Sequence, residues 1–249
     1  MKYQITCISH GRAANVEKVY ETAGTGDVVF YVKDEAEAIN YRLQGAIMVR
    51  PGGGLIESRN AALEDCFNEN AICIQISDDL ERITLNDFSG KTTKKPVTVK
   101  QAVDDLVADF WLNPYKLAGL PPTDNPFYAL NAVERDKFCV GDFLMVKPTA
   151  LRFDPEIRLK EDYDYTLQHI ERHGGTVRYG KYLATFKHYK NPGGAVSYRT
   201  EQLEQKTIGQ LKTKWPGCFA DNPKRPNEIL MQKNIQQILA QNRLQKTLF

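Results

Sequence analysis

Apolar and polar positions alternate over residues 3–9 (YQITCIS), the period of a half-buried strand. HGRAANVEKVYETAG then reads as a turn and a helix stopping at Gly24, and residues 27–33 (DVVFYVK) as a second strand. DEAEAINYRLQGA predicts a helix, with Asp34 as its N-cap and Gly45 as its stop. IMVR predicts a third strand, broken by the PGGG of 51–54. LIESRNAALEDCFNEN gathers Leu55, Ala62, Leu63, Cys66 and Phe67 on one helical side, and AICIQIS is a continuous apolar run that ends at Asp78-Asp79. Strands alternating with helices predict an α/β fold, a mostly parallel sheet flanked by helices. Ligands of such sheets bind at the carboxyl ends of strands, which here carry Ser9-His10, Lys33-Asp34, Arg50 and Asp78-Asp79.

The second half is less regular. SGKTTKKPVTVK is a basic, β-rich turn region, KQAVDDLVADFWL a helix, and residues 119–127 a loop. CVGDFLMVKPTALRF holds a strand pair or a strand and bend, and EDYDYTLQHIERHGG a helix whose inner stripe includes Leu167 and Ile170. TVRYGKYLATFKHY alternates as one or two strands before NPGGA. Pro216, Pro223 and Pro226 then break the chain ahead of a Gln/Asn-rich helix over 227–246. The organisation expected is one domain over 1–205 and a basic C-terminal extension over 206–249.

Apolar residues make up 42% and charged residues 26% of the 249, which argues against disorder and coiled coil. No run approaches the roughly 18–20 apolar residues that cross a bilayer, and MKYQITCISH reads as a strand and not as a signal peptide. The expectation is a soluble cytoplasmic protein (host cytoplasm if viral) with no membrane partner. The five cysteines lack CxxC spacing, so buried free thiols are expected. The formal charge of +2 is uneven: residues 206–249 carry eight Lys/Arg against Asp221 and Glu228, a local +6. A mildly acidic body with a basic tail points to a polyanionic partner.

Candidate chemistry concentrates in residues 58–80. Two adjacent carboxylates at the end of a buried strand repel each other unless a cation or separate partners hold them. A divalent ion, Mg²⁺ or Mn²⁺, bridging a diphosphate would resolve the conflict. The plainer alternative is that Asp78-Asp79 caps a following helix. Glu161-Asp162 opens a helix, where the dipole stabilises a carboxylate anion and a ready base can sit; an ordinary acidic first turn is the alternative. His169 and His173 stand four apart, but HIERH is not HExxH. Neither GxGxxG nor a Walker loop is present, which disfavours dinucleotide oxidoreductases and P-loop NTPases.

The succession Ser58-Arg59-Asn60, helix, apolar strand, Ser77-Asp78-Asp79 resembles the donor half of GT-A-fold glycosyltransferases. More narrowly, SHGRA, PGGGLIESRN, ISDDL, EDYDYTLQHI and FKHYKNPGGAV…YR are similar to the TET/JBP-associated glycosyltransferases, found chiefly in bacteriophages and linked to sugar transfer onto hydroxymethylpyrimidines in DNA. The resemblance implies a nucleotide-sugar donor, UDP-linked, and hexosyl or N-acetylhexosaminyl transfer with inversion. It implies that Asp162 is the general base, that Asp79 and His188 hold Mn²⁺ or Mg²⁺, and that Asp78 touches the ribose. Serine in place of the first acid of the DxD pattern leaves that division of labour open. The donor would also meet Ser9, His10 and Arg12 after the first strand, Asp34 after the second, Arg59 and Asn60, with Arg199 offsetting diphosphate charge.

The implied acceptor is DNA, whose phosphates need cations. Candidates are Lys91, Lys94 and Lys95, Lys187 and Lys190, and Lys212, Lys214, Lys224 and Arg225; Trp215 would stack on a base or anchor the tail. Competing readings are the same fold acting on a glycan, lipid or protein, a metal-dependent nucleotidyltransferase, and a non-catalytic DNA-binding scaffold.

Overall fold

The computed structural model describes residues 1–86, 95–187 and 199–247. The first half follows the expected alternation: β1 (Tyr3–Ile8), α1 (Val16–Ala23), β2 (Val28–Val32), α2 (Glu35–Leu43), β3 (Met48–Pro51), α3 (Leu55–Asn68) and β4 (Ile72–Ser77). The chain continues through β5 (Leu80–Leu85), β6 (Pro96–Val97), α4 (Val99–Leu112), β7 (Leu117–Gly119), β8 (Val133–Arg135), β9 (Phe143–Val146) and α5 (Glu161–His173). It closes with β10 (Val177–Tyr179), β11 (Tyr182–Phe186), α6 (Glu201–Lys214), β12 (Phe219–Asp221), β13 (Ile229–Met231) and α7 (Ile235–Thr247).

The main sheet has eight strands in the order β3-β2-β1-β4-β9-β7-β10-β8. The strands β3, β2, β1 and β4 run parallel, β9 is antiparallel to both its neighbours, and β8 is antiparallel to β10. This is the mostly parallel α/β architecture that the hydrophobic pattern predicts. Its central strands are covered on both faces, which is why they read as unbroken apolar runs. Along β4, Ile72, Ile74 and Ile76 face a core built with α1, α2 and α4, while Cys73 faces a second core with α3 and Tyr165 of α5. All five cysteines are buried free thiols, as expected.

Beyond the main sheet, β5 pairs with β11 and β6, and β12 with β13 as a hairpin. The sequence pattern did not show α6, and the helix expected over 227–246 begins eight residues late because β13 occupies its start. The expected boundary at 205/206 falls inside α6. Ile208, Leu211, Trp215, Phe219, Ile229 and Leu239 share a core with Leu167 and Ile170 of α5, so the C-terminal segment packs onto the body. Among the described residues, no helix is long and apolar enough to cross a membrane.

Candidate active site

One cleft of about 680 Å³ opens at the carboxyl ends of β1, β2 and β4. Its first wall carries Ser9, His10, Arg12, Lys33 and Ser77-Asp78-Asp79, with Gly53, Gly54, Ser58 and Arg59 at the start of α3. The facing wall carries Phe138 to Asp142 (except Cys139), Leu159 to Tyr163 at the start of α5, Pro122, Arg199, Arg225 and Glu228. Asp79 and Asp162, remote in sequence, therefore line the same space.

The acid pair after β4 caps no helix, since β5 begins at Leu80. Asp78 is 3% exposed. Ser9 Oγ donates to its Oδ2, and Arg12 Nη1 lies 2.6 Å from its Oδ1 and 2.8 Å from Asp79 Oδ1. Arg12 is thus the cation that two neighbouring carboxylates require; the sequence had assigned that task to a metal and Arg12 to the donor. Burial still pushes the Asp78 carboxyl up to about 6, with Asp79 adding to the rise and Arg12 and Ser9 opposing it. Behind the pair, Tyr41 OH is 2.5 Å from Ser9 Oγ and accepts from the Arg12 backbone N–H.

At the start of α5, Glu161 is buried and Asp162 partly so. The Gly141 N–H donates to Asp162 Oδ2 at 2.9 Å and the Tyr163 N–H to its Oδ1 at 3.0 Å. Burial first and the Glu161 charge second push the Asp162 carboxyl up to about 7, against the Gly141 N–H and Arg59. A general base works best with its pKa near the working pH. Arg59 supports this arrangement from below. Its Nε donates to Glu161 Oε1 at 3.0 Å, and its Nη1 to Gly141 O at 3.0 Å and Gln75 Oε1 at 3.1 Å. A Cβ on Gly141 would come within 2.6 Å of Arg59 Nη2, so a larger residue there would push the guanidinium aside. Gly141 was not singled out from sequence; the signal available was the Gly-Asp step just before an apolar strand.

Other expected donor residues fall elsewhere. Asn60 is outside the cleft lining: its amide donates to Phe153 O at 2.9 Å and accepts from Phe153 N at 2.8 Å, pinning that backbone. Asp34 is the N-cap of α2, accepting from Glu37 N, and is also outside the lining. Glu37, also outside that lining, accepts from the Gly11 and Lys33 backbones and lies 3.1 Å from His10 Nδ1, so it holds the loop after β1 in place. Its signal was the Asp-x-x-Glu spacing at the start of α2. Arg199 lines the cleft, with Nε 3.4 Å from Glu204 Oε1.

His188, Lys91, Lys94 and Lys190 lie outside the described residues; the neighbouring Lys187 N–H donates to Asp79 O at 3.0 Å. Among the described residues, no three His, Cys, Asp or Glu side chains group to hold a metal. Asp79 nonetheless suits Mg²⁺ or Mn²⁺, which commonly take one or two carboxylates and complete their shell with water and phosphate oxygens.

Several of the cations expected to meet phosphate are engaged within the chain. Lys212 pairs with Asp221 at 2.7 Å, Lys214 with Asp154 at 2.5 Å and Asp164 at 2.9 Å, and Lys187 with Glu81 at 2.7 Å. Trp215 is buried and donates Nε1–H to Asp164 at 2.7 Å, so it anchors the tail and is not placed to stack on a base. Lys95 and Lys224 are exposed. Arg225 lies in the cleft lining.

No family model and no curated protein sequence matches the chain. Among solved structures, it is similar to a cytidylyltransferase from Leptospira borgpetersenii serovar Hardjo-bovis (strain JB197), with TM-score 0.43 and 11% identity over 98% of this chain and 96% of that one. It is also similar to a mannose-1-phosphate geranyltransferase from Thermus thermophilus, with TM-score 0.32 and 11% identity over 97% of this chain and 68% of that one. A likeness at this level assigns neither a function nor a residue role to the chain.

Proposed function

We propose that the protein is a glycosyltransferase that moves a sugar from a nucleotide-sugar, UDP-linked, to the hydroxyl of a 5-hydroxymethylpyrimidine in DNA. The observation that carries the reading is a single cleft with the Asp78-Asp79 pair on one wall and the raised-pKa carboxylate of Asp162 on the other. Ser9, Arg12 and Asp78 form a pre-set polar floor at the strand ends for the nucleoside, and Arg199 faces the space for the diphosphate. Asp162, oriented by the Gly141 N–H, takes the proton of the acceptor hydroxyl as its oxygen attacks the anomeric carbon. A Mg²⁺ or Mn²⁺ ion, held by Asp79 and by His188 as the sequence suggests, would supply positive charge to the departing diphosphate.

The test is incubation with hydroxymethylated DNA, Mn²⁺ and a panel of nucleotide-sugars, followed by mass analysis of the nucleosides. A sugar-bearing pyrimidine nucleoside is expected, together with a free nucleoside diphosphate. Asp162→Asn should keep the thermal shift produced by UDP with Mn²⁺ and lose transfer. Pyrophosphate release in place of a nucleoside diphosphate would replace this reading with nucleotidyl transfer, and transfer only to glycan, lipid or protein would replace the acceptor.

A further inference from the structure

The two walls of the cleft differ in chemistry. The wall at the carboxyl ends of β1, β2 and β4 is polar and charged. The wall around Asp162 is apolar in its middle, with Pro122, Phe138, Val140 and Tyr163, and ends in Arg225 and Glu228 from the link between β12 and β13. The Phe138 and Tyr163 rings stack with centroids 4.0 Å apart and an 11° interplanar angle. Tyr163 OH donates to Ile229 O at 2.9 Å, and Phe219 meets the Tyr163 ring edge-on at 5.7 Å. The aromatic pair, the hairpin and the residue after Asp162 are therefore one built unit. Lys214 and Trp215 secure it from behind through Asp164, which is fully buried. Lys212 and Lys214 are held in ion pairs away from the tip, where Lys224 is exposed and Arg225 pairs within the hairpin link itself, with Glu228. The Arg225 side chain is 70% exposed, and its Nη1 lies 3.0 Å from Glu228 Oε1.

We propose that this wall is the acceptor subsite and that it takes one nucleotide unit of a polynucleotide, with the base laid against Phe138 and the phosphate at Arg225. The proposal rests on the glycosyl-transfer reading and names its acceptor contacts. A planar base gains about 1–3 kcal/mol by stacking on an aromatic face, and guanidinium pairs with phosphate in a bidentate fork. A neutral glycan brings no anion to compete with Glu228 for the Arg225 guanidinium. A lipid tail would need a longer apolar track than these four side chains provide.

The experiment measures binding, so that it does not depend on turnover. A fluorescein-labelled single-stranded oligonucleotide containing 5-hydroxymethylcytosine is titrated with the full chain by anisotropy at two salt concentrations. Arg225→Glu is expected to weaken binding about ten-fold or more and to flatten the salt dependence by about one phosphate contact. Phe138→Leu is expected to weaken it about ten-fold with the salt slope unchanged. Melting temperatures show that each variant is folded, and Arg225→Glu, at an exposed position, keeps the test decisive if the Phe138 variant is not. Wild-type binding that neither variant weakens overturns the subsite and leaves the glycosyl-transfer reading intact. No wild-type binding also overturns it, and release of UDP from a UDP-sugar with Mn²⁺ then shows independently whether glycosyl transfer survives.

Discussion

Replacing the proposed base with its neutral isostere should stabilise the fold at neutral and alkaline pH, by an amount that falls as the pH falls. The folded Asp162 carboxyl is pushed up to about 7, whereas an unfolded Asp titrates near about 3.9. Below that value both states hold the proton and the group costs nothing. As pH rises the unfolded state ionises first, so the native state loses stability until pH passes the folded value. At about 1.4 kcal/mol per unit, the full cost approaches 4 kcal/mol above pH 7, and solvent entering from the cleft trims it. Asparagine escapes this cost. It still accepts from the Gly141 N–H through its one carbonyl oxygen, but loses the acceptor for Tyr163 N–H, worth about 1 kcal/mol. The net expectation is a gain of about 2 kcal/mol for Asp162→Asn at pH 8 that turns into a loss of about 1 kcal/mol at pH 4, where only the lost Tyr163 bond remains. Urea unfolding of both proteins at pH 4, 6 and 8 measures it directly. A variant that is less stable at every pH by a constant amount would refute the burial and Glu161 repulsion on which the reasoning stands.

Arg12→Met strands the buried Asp78 and should cost about 3–5 kcal/mol, part of which Asp78→Asn restores in the same chain; denaturant midpoints of the four-member cycle give the coupling. His169 is fully buried with both ring nitrogens unpartnered, and burial, then His173 and Lys116, hold its pKa well below the ordinary value. Below about 6.5 the unfolded chain alone takes up that proton, so wild-type stability should fall by about 2 kcal/mol between pH 6.5 and pH 5 through this group. His169→Leu should remove that part of the slope in chemical denaturation. Asn60→Ala removes both bonds to Phe153 and should cost about 1–3 kcal/mol while leaving UDP affinity by calorimetry unchanged; a loss of nucleotide affinity alone would return Asn60 to the donor site.

The local order of the first half was legible in the sequence because each element writes its own period: β1 alternates, β4 is an unbroken apolar run, and Asp34 and Gly24 mark helix ends. The strand-end rule then pointed to Ser9 and Asp78-Asp79 before any contact was known. What the sequence left open was partnership. A pair of carboxylates announces that it needs positive charge, but not that Arg12, 66 residues from Asp78, provides it. Arg59 and Asn60 are adjacent in the chain, yet successive helical positions point about 100° apart, so one reaches the cleft and the other pins Phe153. Lys212 and Lys214 look like a polyanion site until Asp221, Asp154 and Asp164 are seen beside them. Secondary structure follows from near neighbours and their spacing; charge pairing, burial and the shape of a cleft depend on residues that only the tertiary fold brings together.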